Sequence, residues 1–106
     1  MKFGLEQNTL DAITACLASN NKIEEVIIYG SRAKGNFKIG SDIDLTIKGQ
    51  DLDLTDLNKL ENQIDDLLLP YKFDISIFTQ ITNEGLIDHI KRVGLRFFYR
   101  IEESDN

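Results

Sequence analysis

Three aspartates carry the chemistry that this sequence can support. Asp42 and Asp44 stand one residue apart in the segment Asp42-Ile43-Asp44-Leu45-Thr46-Ile47-Lys48, where polar and apolar residues alternate. A strand with that period sends Asp42, Asp44, Thr46 and Lys48 to one face and Ile43, Leu45 and Ile47 to the other. The Cα atoms of the two aspartates are then about 6.5 Å apart, from a rise of ~3.3 Å per residue. Carboxylates at that spacing repel each other unless a cation lies between them. Mg²⁺ suits the place, since it takes hard oxygen ligands from one or two carboxylates together with substrate phosphates. Asp74 lies in a second alternating segment, Lys72 to Phe78, with Phe73, Ile75 and Ile77 on one face and Asp74 and Ser76 on the other. If the two strands are neighbours, three carboxylates meet on one patch. Such a patch suits two metal ions, one carrying a triphosphate and one polarising the attacking oxygen. A carboxylate such as Asp74, beside an incoming hydroxyl, can also accept its proton.

A phosphate needs donors, and the sequence offers a place for them. Gly30-Ser31 follows the apolar run Val26-Ile27-Ile28-Tyr29 and opens a short helical segment. Glycine lets the backbone approach a phosphate closely, helix-start amides point outward, and the Ser31 hydroxyl adds one more hydrogen bond. The spacing is not that of a P-loop, because no Gly-x-x-x-x-Gly-Lys-Ser/Thr is present. Between Glu25 and Asp42 there is no acid, but there are Arg32, Lys34 and Lys38. A basic island beside an acidic cluster is what a metal–triphosphate site requires.

The elements that must position these residues follow from periodicity. Leu10, Ile13 and Leu17 predict a helix from Leu5 to about Asn20, with Cys16 as a small residue of its apolar side. Val26 to Tyr29 reads as a fully buried strand, Ser31 to Gly35 as one helical turn, and Asp42 to Lys48 as the second strand. Leu54, Leu57, Leu60, Ile64, Leu67 and Leu68 form a helical stripe behind an Asp53 N-cap. Lys72 to Phe78 is a third strand. Asn83 caps a helix through Leu86, Ile87, Ile90 and Val93, and Gly94 fits its C′ position. Leu95 to Ile101 is expected to add a last extended piece, and the tail Glu102 to Asn106 reads as frayed. Strands interleaved with helices predict an α+β fold, an α/β sandwich in which helices flank a small mixed sheet.

Bulk properties set limits. The chain of 106 residues, 42% hydrophobic and 28% charged, is expected to form a single domain, 1–106. The net charge of −6 argues against DNA or RNA as the main partner, since phosphate neutralisation dominates such binding. One cysteine allows no internal disulfide. With no secretion signal at its start and no long apolar run, the chain is read as cytoplasmic. His89, the only histidine, reads as a surface or helix-stabilising residue rather than a catalyst. Asp65 and Asp66 belong to the polar side of a helix, and Phe97, Phe98 and Tyr99 are core or interface candidates.

Gly30-Ser31, ten intervening residues, then Asp42-Ile43-Asp44-Leu45, with the later acid Asp74, resembles the signature of the DNA polymerase β-like nucleotidyltransferases. The stretch from Gly30 to Gly35 and then from Ser41 to Leu45 is especially similar to the minimal nucleotidyltransferases, the MNT or MntA-like group. The resemblance spans Val26 to Phe78. It implies a nucleotidyltransferase fold and transfer of a nucleoside monophosphate, AMP from ATP above all, to a hydroxyl. It implies that Gly30 and Ser31 hold the triphosphate, that Arg32 contacts phosphate, and that Asp42, Asp44 and Asp74 bind the metals, with Asp74 also activating the acceptor. Larger relatives carry extra helices for the acceptor. Here the chain stops soon after the core, so the acceptor pocket is expected to come from another subunit or another protein. Relatives of this size pair with an all-helical HEPN protein in toxin–antitoxin modules, where the MNT antitoxin attaches AMP to a tyrosine of the toxin. Two alternatives stand beside that expectation: a non-catalytic antitoxin that sequesters the HEPN partner, and the catalytic subunit of a small-molecule nucleotidyltransferase.

Overall fold

The computed structural model describes residues 1–101, so the tail expected to fray lies outside the described residues. The elements run α1 (Gln7–Ala18), β1 (Glu25–Tyr29), α2 (Ser31–Lys34), β2 (Ile43–Lys48), α3 (Leu54–Asp65), β3 (Phe73–Ile77), a 3₁₀ turn (Phe78–Gln80), α4 (Glu84–Val93) and β4 (Leu95–Tyr99). The strands form one sheet in the order β3-β2-β1-β4. β1 pairs antiparallel with β2 and β4, while β2 and β3 are parallel. The small mixed sheet between helices is the expected α+β arrangement, with the last extended piece added as a full edge strand.

Alternation decides the two faces of the sheet. Val26 and Ile28 of β1, Ile43, Leu45 and Ile47 of β2, and Ile75 and Ile77 of β3 join Leu10, Ile13 and Leu17 of α1 and Leu60 and Ile64 of α3 in one core. Each Ile or Leu fully removed from water there contributes about 1.5–3 kcal/mol. The other face of β1 is covered by α4, whose Ile90 is buried. α3 starts where expected: Asp53 accepts from the Asp56 N–H at 3.0 Å and Asp56 accepts from the Asp53 N–H at 2.9 Å, a reciprocal capping box. Asn83 likewise accepts from the Leu86 N–H at 3.0 Å at the head of α4.

Gly94 is not the left-handed C′ glycine that its position suggested. It sits at φ −63°, ψ 142°, and any Cβ there would strike the Ile90 carbonyl and the Ile27 side chain. Close approach of the α4 terminus to β1 requires the glycine, not a positive φ. The fully buried reading of β1 also needs correction at Ile27, which is only half-buried. Thr46, expected on the polar face, is fully buried. Its hydroxyl hydrogen-bonds with Ser76, which donates from Oγ at 3.0 Å. Among the described residues no helix is long and apolar enough to cross a membrane.

Candidate active site

Parallel pairing of β2 with β3 puts Asp44 directly beside Asp74, and antiparallel pairing of β1 with β2 puts Tyr29 on the other side of Asp44. Residues directly opposite in a register share a face, so Tyr29, Asp44 and Asp74 form a row across three strands. Asp42, one residue before β2, adds its charge to that row. Asp42 and Asp74 are exposed, and Asp44 is half-buried between them. Burial first, then the negative charges of Asp74 and Asp42, push the Asp44 carboxyl above its ordinary value. The three sequence-predicted acids thus reach one corner. Among the described residues, though, no three His, Cys, Asp or Glu side chains close into a set that could hold a metal by themselves. Mutual repulsion favours such an open arrangement.

Gly30 is brought to the same corner. It links β1 to α2 at φ 74°, where a side chain is strained, and a Cβ there would collide with Asp44 Oδ2. The positive φ therefore favours a glycine, and the turn it makes lies against the central carboxylate. Ser31 follows as the first residue of α2, half-buried, and among the described residues no hydrogen bond engages its hydroxyl.

Arg32 turns inward. Its guanidinium is 3% exposed. Nε and Nη2 donate to the Ser41 carbonyl at 3.0 and 2.9 Å, and Nη1 donates to the Phe3 carbonyl at 3.0 Å. The head group is held by backbone carbonyls, each nitrogen of the fork donating to protein. Lys34 and Lys38 remain exposed on the same segment.

Two residues belong to this corner that the sequence reading did not promote. Tyr29 is 6% exposed at the end of β1. Burial raises its phenol pKa, the Ser76 hydroxyl works against that, and the charges of Asp74 and Asp44 add to it. His89, on α4, stands edge-on to the Tyr29 ring with centroids 6.1 Å apart, and its charge counters the upward shift of Asp44. His89 is therefore a neighbour of the acidic row rather than a remote helix residue. Tyr29 was legible from parity, since it shares a strand face with whatever pairs beside it. Nothing local signals His89, which arrives through the packing of α4 on β1. Two clefts, of about 540 and 430 Å³, are lined in part by Gly40 and by Lys72 and Phe73, chain neighbours of the acids.

A glycine turn thus lies against a carboxylate row at the end of a mixed sheet on an α+β fold. Residues 11–103 match the family model described as polymerase beta, nucleotidyltransferase, and the chain belongs to that family; it is a nucleotidyltransferase. Solved structures share the fold. A chain of a toxin–antitoxin complex with AMP-PNP superposes with a TM-score of 0.69 at 18% identity, over 91% of this chain and 75% of that one. A chain of the MntA–HepT toxin–antitoxin complex gives 0.66 at 18% identity, over 90% and 74%. A chain from a complex of tri-AMPylated Shewanella oneidensis HEPN toxin with MNT antitoxin gives 0.67 at 17% identity, over 91% and 74%. No curated protein matches by sequence.

Proposed function

We propose that the chain transfers AMP from ATP to a hydroxyl of a partner protein, as the nucleotidylating antitoxin of a toxin–antitoxin pair whose other member is an all-helical HEPN protein. The observation that carries this reading is the side-by-side register of Asp44 and Asp74, with Asp42 adjacent and Gly30 packed on the Asp44 carboxylate. The donors are all carboxylate oxygens, and burial, with the charges of Asp74 and Asp42 beside it, leaves Asp44 reluctant to ionise, a cost that a divalent cation relieves. Asp42, Asp44 and Asp74 would hold Mg²⁺, two ions in all. Bound there, Mg²⁺ supplies polarisation of the attacking and leaving oxygens and offsets triphosphate charge. An incomplete protein ligand set agrees with this ion, which keeps waters and phosphate oxygens in its shell.

Gly30 and Ser31 receive the triphosphate through backbone amides and the Ser31 hydroxyl. The acceptor oxygen attacks the α-phosphorus. The bond from that phosphorus to the bridging oxygen breaks, and pyrophosphate leaves with the electron pair. Asp74, exposed and directly beside Asp44 on the neighbouring strand, takes the hydroxyl proton. Its exposure gives a side chain from another protein, a tyrosine among them, room to approach. The toxin–antitoxin context of the structural neighbours, one with an AMPylated HEPN toxin, supports the choice of partner.

Labelled ATP incubated with the chain, Mg²⁺ or Mn²⁺ and the co-purified partner tests the proposal. Label is expected on the partner, and Asp74→Asn is expected to lower the rate by about 10²–10⁴-fold while the chain stays folded. No transfer with either ion would sink the reading. Rescue of growth by an Asp44→Ala chain that no longer labels its partner would favour sequestration instead.

A further inference from the structure

Asp42 is the one acid of the row that no strand holds. It precedes β2 and is exposed, so its backbone must be fixed in some other way. On one side, the Ile43 N–H donates to the Lys72 carbonyl at 2.9 Å. On the other, Ser41 is engaged at each of its polar groups. Its N–H donates to the Lys38 carbonyl at 3.0 Å, its Oγ accepts from the Lys38 N–H at 2.8 Å, and its carbonyl accepts both Arg32 bonds.

Arg32 is an expensive way to hold a carbonyl. Its guanidinium stands over the Phe37 and Tyr71 rings, 5.2 and 5.1 Å from their centroids. Among the described residues no carboxylate forms an ion pair with it. Neutral carbonyls satisfy its donors without cancelling its charge, so an apolar residue of similar shape would serve packing better. What an apolar residue cannot do is grip two backbone carbonyls at once with a planar fork. The second carbonyl belongs to a turn made for the purpose. Phe3 and Gly4 have φ 57° and 73°, and the Leu5 N–H closes the turn on the Lys2 carbonyl at 2.9 Å. Positive φ at both central residues defines a type I′ turn. Gly4 cannot carry a Cβ there, because it would meet the Phe37 ring and crowd Arg32 Nη1.

We propose that Arg32 is the positioning residue for Asp42. Its fork clamps the Ser41 carbonyl to the N-terminal turn at Phe3 and so sets where the Asp42 carboxylate stands beside Asp44. The inference rests on Asp42 being a metal ligand, as proposed above.

Two variants of the full chain test it. Arg32→Lys keeps the charge but loses the fork, and Gly4→Ala displaces the anchoring turn while leaving Arg32 and Ser41 unchanged. Four quantities are read: thermal melting, Mn²⁺ binding to the protein alone by electron paramagnetic resonance, binding of an ATP analogue in EDTA, and kcat. For Arg32→Lys, Mn²⁺ affinity is expected to fall about 10–100-fold, as for other residues that orient metal ligands, and kcat with it. Gly4→Ala should show the same pattern to a lesser degree, and metal-free nucleotide binding should hold in both. Loss of metal-free nucleotide binding with Mn²⁺ affinity intact would make Arg32 a phosphate contact and overturn the proposal. Folded variants with unchanged Mn²⁺ affinity would reduce Arg32 to packing and overturn it as well. If Arg32→Lys does not fold, Gly4→Ala decides by the same readout. An unsubstituted chain that binds no Mn²⁺ fails the metal-site reading, and this inference falls with it. Wild-type binding that neither variant weakens fails the positioning role alone.

Discussion

Asp56 and Asp44 are both half-buried carboxylates, and the molecule treats them in opposite ways. Asp56, in the first turn of α3, accepts from Lys22 Nζ at 2.6 Å, from Asn20 Nδ2 at 3.0 Å and from the Asp53 N–H at 2.9 Å. The Lys22 ammonium, then the Asp53 amide, hold its carboxyl well below the usual carboxylate range. Asp44 has burial and two like charges instead, and its pKa moves up. One corner spends its charges on stability. The other keeps a frustrated charge where a cation and a triphosphate can relieve it. The two groups also tilt stability in opposite directions with pH. The Asp56 contribution is present above the ordinary range, about 3.9, and is lost as pH falls through its depressed pKa. The Asp44 contribution is present below that range and is lost as pH rises through its raised pKa.

If that contrast is right, Asp44→Asn gives the largest effect. Transfer should fall to the detection limit while the melting temperature rises. The gain should be no more than ~1 kcal/mol, because partial solvation screens the repulsion. A variant that loses both activity and stability would break the contrast. Gly30→Ala comes next. The positive φ and the collision with Asp44 should cost more than ~1 kcal/mol in a denaturant melt, and transfer should drop in the folded fraction. Asp53→Ala probes the stabilising corner alone: loss of the cap should cost about 1 kcal/mol, with transfer per folded molecule unchanged. His89→Ala should have the smallest effect. In metal-free protein the Asp44 carboxyl, followed by ¹³C NMR, should titrate at a still higher pH, since His89 holds it down. An unmoved or lowered titration would remove His89 from the site.

Legibility in the sequence tracked how local each feature is. The cap at Asp53, the alternation from Ile43 to Ile47 and the turn at Gly30 depend on a few adjacent residues, and the structure has them in place. β4 was legible as an extended piece, but not as a partner of β1. The stretch Leu95 to Tyr99 carries no information about which edge it joins. The burial of Arg32 was not legible for a related reason. Its neighbours Lys34 and Lys38 made a basic island, while the carbonyls that capture it belong to Phe3, far back in the chain, and to Ser41 across a loop.

Residue types and short-range spacing, by themselves, determined that two aspartates share a strand face, that a glycine turn precedes them, and that three amphipathic helices flank the strands. Backbone geometry repeats over two to four residues, so such facts need no partner. Only the tertiary structure decided that β2 and β3 run parallel in a register opposing Asp44 to Asp74, that α4 lays His89 against Tyr29, and that the Arg32 fork turns inward. Each of these joins segments whose approach is set by how the whole apolar core closes, a sum over many contacts that no single stretch of chain encodes.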